Sequence, residues 1–129
     1  MSGNQFKLEI VVDQFFGENC YLASLEGQDE CLVIDPGLEP AKIVEQLEQL
    51  SLQPAAILNT HGHIDHSGSL PRLVKLGFEG NIHCTEPTKD LLGILLGDSA
   101  HIQAQDAKYL SKKGHHFEPP YDAADVAKT

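Results

Sequence analysis

Three histidines and one aspartate fall within six residues, as His61, His63, Asp65 and His66 in the order H-x-H-x-D-H. Imidazole nitrogen and carboxylate oxygen are good ligands for zinc and other borderline divalent cations. Histidine is a low-frequency residue, and this spacing matches a ligand pattern, so a polar loop carrying histidines by chance is a poor account of it. His61 and His63 are two apart, so at an extended strand end they point the same way. Asp65 and His66 then sit where the chain turns toward a helix. One pair can hold one metal and the other pair a second beside it. Such two-metal sites clamp a substrate and generate hydroxide at neutral pH.

The elements on either side must deliver this loop. Phe6–Val12 and Asn19–Ala23 read as strands, and Glu26–Asp29 as a hairpin turn leading to a returning strand, Glu30–Asp35. The run Cys31-Leu32-Val33-Ile34 suggests burial on both faces. Pro40–Leu52 is helical, with Ile43, Val44, Leu47 and Leu50 on one face. Pro54 closes the connection, and Ala55–Asn59 is a strand parallel to the one before the helix. This strand–helix–strand unit brings the histidine loop to the carboxyl end of a strand, the edge at which α/β sheets place their ligand sites. Ser67–Gly77 reads as a second helix capped by Gly77, and Asn81–Cys84 as a short strand. Thr85 caps a helix with the apolar body Leu91–Leu96. Residues 98–102 then link it to a polar helical run ending near Gly114. From His115 the chain reads as a weakly structured tail with a short acidic helix, giving a domain over 1–114 and a flexible tail over 115–129.

With 129 residues, 41% of them hydrophobic, the chain makes one domain with a core. It carries 9 basic against 19 acidic residues, a net charge of −10. Residues 1–66 hold 2 basic and 11 acidic residues, so the acidity is concentrated in the half with the histidine motif. This balance attracts cations and argues against a polyanion held by general electrostatics. Cys20, Cys31 and Cys84 make no C-x-x-C pair and no closed disulfide framework. Buried free thiols and a reducing cytoplasm are expected. Residues 1–5 lack the pattern of a secretory leader, and no apolar stretch approaches the ~20 residues of a membrane span.

The H-x-H-x-D-H motif resembles that of the metallo-β-lactamase-fold hydrolases, and Asp35 in Val33-Ile34-Asp35-Pro36-Gly37 matches the aspartate that family places at the end of an earlier strand. The resemblance implies an α/β fold, the N-terminal half of an αββα sandwich, with a mixed sheet and helices on one face. It implies His61 and His63 on a first zinc and Asp65 and His66 on a second, with one or two ions bound and manganese or iron as alternatives. Asp35 would orient a metal-bound histidine or the loop, and Asp65 would also take or relay a proton. Residues 6–66 resemble the glyoxalase II branch, through Asn19-Cys20-Tyr21-Leu22 and Ile57-Leu58-Asn59-Thr60-His61. Residues 67–120 resemble the β-CASP RNA-processing nucleases, through Ser69–Val74, Ile82–Thr85 and Asp98–Gln103.

The function implied is glyoxalase II-like hydrolysis of a thioester or ester by metal-bound hydroxide. A β-CASP-type nuclease fragment and a non-catalytic metal-binding half-domain are the alternatives, and the acidic charge makes RNA the weaker expectation. No G-x-S-x-G elbow supports a serine mechanism. The family's further histidine, bridging aspartate and last histidine have no counterpart in these residues, so weak or absent activity is expected. The partner implied is a second copy or a complementing second half. His83 reads as a strand histidine and His115-His116 as a solvated pair. His101 lies outside any ligand motif, and whether it or the His115-His116 pair completes the site is open at this stage.

Overall fold

The computed structural model describes residues 5–129. Its sheet has five strands in the order β1 (Phe6–Val12), β2 (Asn19–Leu25), β3 (Glu30–Ile34), β4 (Gln53–Leu58) and β5 (Asn81–His83). The first three are antiparallel neighbours; β3–β4 and β4–β5 are parallel. The sheet is therefore mixed. Its helices are α1 (Pro40–Leu50), α2 (Ile64–Ser67), α3 (Leu70–Lys75), α4 (Glu86–Lys112) and α5 (Ala123–Lys128).

One face of the sheet carries the core. Cys20 and Leu22 of β2, Cys31 and Val33 of β3 and Ile57 of β4 are buried with Ile43 and Leu47 of α1, Leu70 and Leu73 of α3, and Leu92 and Leu96 of α4. The i, i+4 pairs Ile43/Leu47 and Leu92/Leu96 put the apolar stripes of their helices on that face. The helices thus cover one side of the sheet, as the resemblance implies.

The opposite face is left open. Phe6, Leu8, Ile10 and Val12 are 62%, 47%, 54% and 49% exposed. Their register partners are Leu25, Ala23, Tyr21 and Asn19, and the row continues through Leu32, Ile34, Ala56 and Leu58. The chain exposes 8183 Å², where a compact monomer of 14.1 kDa exposes about 6,700 Å². This face and the last three turns of α4, which bury no residue, both contribute to that excess.

Four local expectations are revised. Pro54 lies inside β4, opposite Cys31, where the register shifts between Cys31 and Leu32; that irregularity accommodates a residue with no amide to donate. The helix expected over 67–77 is split, with α2 ending at the cap Gly68 and α3 starting at Leu70-Pro71. The link expected at 98–102 is helix instead: α4 runs through 27 residues, and Ala100 is buried within it. Thr85 does occupy the N-cap of α4, but its hydroxyl donates to that of Thr88 (3.0 Å) and accepts from no backbone amide of the helix.

The segment after His115 does end in a short acidic helix, α5, capped reciprocally by Asp122 and Asp125. It is docked on the domain: Tyr121 is buried and donates to Ser99 Oγ (2.9 Å), and Arg72 donates to the Pro120 carbonyl (3.0 Å). Among the described residues no helix is long and apolar enough to cross a membrane.

Candidate metal centre

The site lies past the carboxyl ends of β3 and β4. Asp35 follows β3 with φ at +49°, a left-handed conformation that aspartate tolerates better than most residues. Its amide donates to Leu58 O (3.0 Å), tying the ends of the two strands together. Its carboxylate then reaches the first residues after β4. Oδ1 accepts from the Thr60 amide (2.7 Å) and Oδ2 from the Thr60 hydroxyl (2.6 Å). The same hydroxyl lies 2.9 Å from His61 Nδ1.

Counting protons along this chain sets the histidine tautomer. A hydroxyl has one proton, and an ionised carboxylate can only accept. If the Thr60 proton goes to Asp35, the His61 contact requires Nδ1–H as donor, and Nε2 keeps the free lone pair. Asp35 thus orients His61 through Thr60, a link the sequence reading did not contain.

The rest of the loop is fixed by its backbone. Asn59 is 2% exposed; its amide donates to His83 O (2.8 Å), and its side chain donates to the His61 carbonyl. His63 is the N-cap of α2, and its carbonyl accepts from Ser67 Oγ (2.8 Å) and the His66 amide (3.0 Å). Gly37, with φ at +66°, donates to His66 O (3.3 Å) and accepts from the Ser69 amide (2.8 Å), so α2 is strapped to the loop after β3.

These constraints gather the expected residues. The His61 ring centroid is 3.9 Å from that of His66 and 4.9 Å from that of His63. Asp65 Oδ2 is 3.5 Å from His66 Nε2. Ligand atoms of Asp35, His61 and His66 lie within 4.8 Å of one another. His63 and Asp65 flank that trio and are not members of it. Asp35, expected only to support the site, is one of the three close groups, although Thr60 already takes both its oxygens. His83 is exposed on β5 and contributes its carbonyl to Asn59. His101 is exposed on α4 beside Gln105 (2.8 Å), and His115 and His116 are exposed. None of these four belongs to the trio.

One acid at the site had no signal in the sequence. Glu18, in the turn before β2, has a side chain only 3% exposed, with Oε1 3.0 Å from His66 Nδ1. Burial, then the charges of Asp35, Asp65 and Asp13, push its carboxyl up to about 7. Its sequence neighbours are ordinary turn residues, and nothing in its spacing ties it to the motif.

The residues fit a divalent cation. Glu18 Oε1, Asn59 Oδ1 and His66 Nδ1 are buried without a hydrogen-bond partner among the described residues. Buried polar atoms ordinarily have one. The donor set of imidazoles and carboxylates suits borderline metals, and the surrounding acids favour a cation.

Residues 13–126 match the family model of the metallo-beta-lactamase superfamily. The chain is similar to the transcription termination factor FttA of Methanosarcina mazei, with 33% identity over 88% of this chain and 17% of that protein. It is also similar to hydroxyacylglutathione hydrolase GloC of Haemophilus influenzae, with 35% identity over 55% of this chain and 31% of that protein. Among solved structures it resembles TTHA1623 in a di-iron-bound form, with TM-score 0.60 and 28% identity over 74% of this chain and 46% of that one. It likewise resembles the B3 metallo-beta-lactamase BLEG-1, with TM-score 0.59 and 28% identity over 74% of this chain and 44% of that one. The chain therefore spans less than half the length of each of these relatives.

Proposed function

The chain belongs to the metallo-beta-lactamase superfamily, and on that premise we propose that it is a metal-dependent hydrolase acting on a small thioester or ester. The observation that supports the reading is the chain of contacts Asp35–Thr60–His61 (2.6 and 2.9 Å), because a Thr60 proton given to Asp35 leaves the His61 Nε2 lone pair free for a ligand. His61 and His63 would hold one zinc, and Asp65 and His66 a second or a shared one; manganese and iron suit the same donors. A bound divalent cation supplies Lewis acidity, lowering the pKa of water toward neutrality and polarising a carbonyl.

The protein's own groups do the rest. Asp35 and Thr60 hold the His61 ring, Asn59 and Ser67 hold the loop, and Asp65, half-exposed beside His66, accepts or relays the proton. The relative GloC is named for hydroxyacylglutathione hydrolysis, and the net charge of −10 disfavours RNA. An RNA-directed role is the second reading, favoured by the similarity to FttA along 88% of this chain.

The test is metal analysis of the purified chain, with hydrolysis assays on S-lactoylglutathione, a generic phosphodiester and a short RNA. Bound zinc with thioester turnover supports the proposal. Cleavage of RNA alone moves the assignment to the second reading, and absence of metal leaves a non-catalytic half-domain.

The open sheet face belongs to the same proposal. Its positions on β1, β2, β3 and β4 from Phe6 to Leu58 carry no Asp, Glu, Lys or Arg among the register partners named above. Apolar faces of that size mark association sites. This face contributes part of an excess surface of roughly 1,500 Å², against the ~800 Å² per partner of a standard interface. The occupant proposed is a second copy of this chain, sheet against sheet at the usual ~10 Å spacing.

A further inference from the structure

The turn between β1 and β2 places a carboxylate where the ligand motif does not call for one. Asp13 accepts from the amides of Phe15 and Phe16 (2.9 and 2.7 Å), and its carbonyl accepts from the Gly17 amide (3.0 Å). Its own amide donates to Glu18 O (2.8 Å). Gly17, with φ at +67°, lets the chain turn back at that point. The closed turn fixes the Glu18 backbone, and the side chain goes inward. It fits because residue 37 is glycine: a Cβ there would collide with Glu18 Oε2.

At its inner end Glu18 Oε1 lies 3.0 Å from His66 Nδ1, and Asp35 Oδ2 lies 3.5 Å from the same nitrogen. The 3.0 Å contact is in ion-pair range and not aligned as a hydrogen bond, and neither Glu18 Oε1 nor His66 Nδ1 has a hydrogen-bond partner among the described residues. Isolating a carboxylate this far from water is costly unless a positive or proton-donating group meets it. The group that meets it here is the His66 ring.

We propose that Glu18 is a positioning residue for His66, its carboxylate holding the ring in the Nδ1–H tautomer so that Nε2 keeps the free lone pair. This rests on the reading of the site as a metal centre. A neutral imidazole has one N–H and one lone pair, and an ionised carboxylate offers only acceptors, so Glu18, 3.0 Å from Nδ1 and nearer than Asp65 is to Nε2 (3.5 Å), favours the proton on Nδ1. Carboxylates that take the distal N–H of a metal-binding histidine fix its orientation and raise its basicity in this way. His61 and His66, 3.9 Å apart, are then keyed by separate acids. Asp35 acts on His61 through Thr60, and Glu18 acts on His66 directly from a turn 48 residues earlier in the chain.

The test is Glu18→Gln, which keeps the shape and removes the obligatory acceptor. Ring nitrogen shifts of His66 are read by two-bond proton–nitrogen NMR in the metal-free protein at about pH 8.5, above the ordinary histidine range. The wild type should show Nδ1–H, and the variant should move toward Nε2–H. Zinc affinity, measured by competition with a chelator, should fall about 10- to 100-fold. The thermal midpoint of the metal-free variant should be unchanged or higher, since a buried charge is removed. Zinc affinity within about threefold of wild type, well short of the loss expected for such a group, would overturn the proposal. So would a loss of affinity with no change of tautomer, because Glu18 would then act only as a remote charge. If the wild type takes up no zinc, the metal-centre reading fails, and the tautomers of the metal-free proteins still decide the role of Glu18.

Discussion

Both oxygens of the Asp35 carboxylate are held by one residue, Thr60: Oδ1 by its amide at 2.7 Å and Oδ2 by its hydroxyl at 2.6 Å. This double link joins the end of β3 to the first residues after β4 and makes Asp35 a part of the fold as well as of the site. Asp35→Asn replaces an acceptor by a donor facing a donor. It should cost about 1–3 kcal/mol of stability and weaken zinc binding as well, read from thermal melts and chelator competition. The sequence alone led us to expect little loss of fold from this change; the two contacts revise that. Thr60→Val keeps the amide contact and should lose metal affinity with a smaller loss of stability. Equal stability of Asp35→Asn and wild type would refute the structural half of this account.

Zinc binding should depend most on His61 and His63. His61→Ala should lower affinity by at least an order of magnitude, because removing a ligand costs more than removing its outer partner, itself ~10–100-fold. Equal zinc uptake by the wild type and the double variant His61→Ala, His63→Ala would discard the assignment.

Glu18 gives the metal-free protein a pH dependence of definite sign. Its carboxyl is raised from 4.5 to about 7 by burial and by Asp35, Asp65 and Asp13. The folded state binds this proton more tightly than the unfolded chain does. The stabilisation is fully present below pH 4.5 and is lost as pH rises through about 7. Chemical denaturation of chelator-treated protein from pH 5 to 8 should show that decline, and Glu18→Gln should flatten it. A wild-type profile with no fall between those limits would contradict the placement of Glu18.

Self-association through the open face should be broken by a charge at its centre. Ile10 is 54% exposed and lies in register with Tyr21, which pairs in turn with Ile34. Ile10→Lys should convert a dimer to a monomer in sedimentation equilibrium while leaving the helical signal intact. Because each copy carries −10, the wild-type dimer should tighten as salt screens repulsion. A wild-type monomer at tens of micromolar would end the proposal of a second copy, since an interface of standard size holds at such concentrations.

How much of this was legible in the sequence depended on whether the determinant was local. The H-x-H-x-D-H spacing, the 3.6-residue stripe of Ile43 and Leu47, and Asp35 before Pro36-Gly37 are patterns within a few residues, and they located the strand–helix–strand unit and its loop. The one-sided core did not follow from the β3 run, which read as buried on both faces: Cys31 and Val33 are buried, but Leu32 and Ile34 are only partly covered because they lie on the open face of the sheet. Contacts between segments could not be read in that way. Glu18 meets His66 only because the β1–β2 turn and the start of α2 fold to the same sheet edge, with Gly37 leaving room between them. Thr60 became a link because its hydroxyl lies between Asp35 and His61. Pro54 entered β4 where a register shift excused its missing amide, and α4 ran past Asp98 because Ala100 finds a buried place. Side-chain type and spacing determined which chemistry the chain can do. Which atoms are held, and which histidine nitrogen is left free, was decided by long-range packing that places one buried acid behind each of two facing rings.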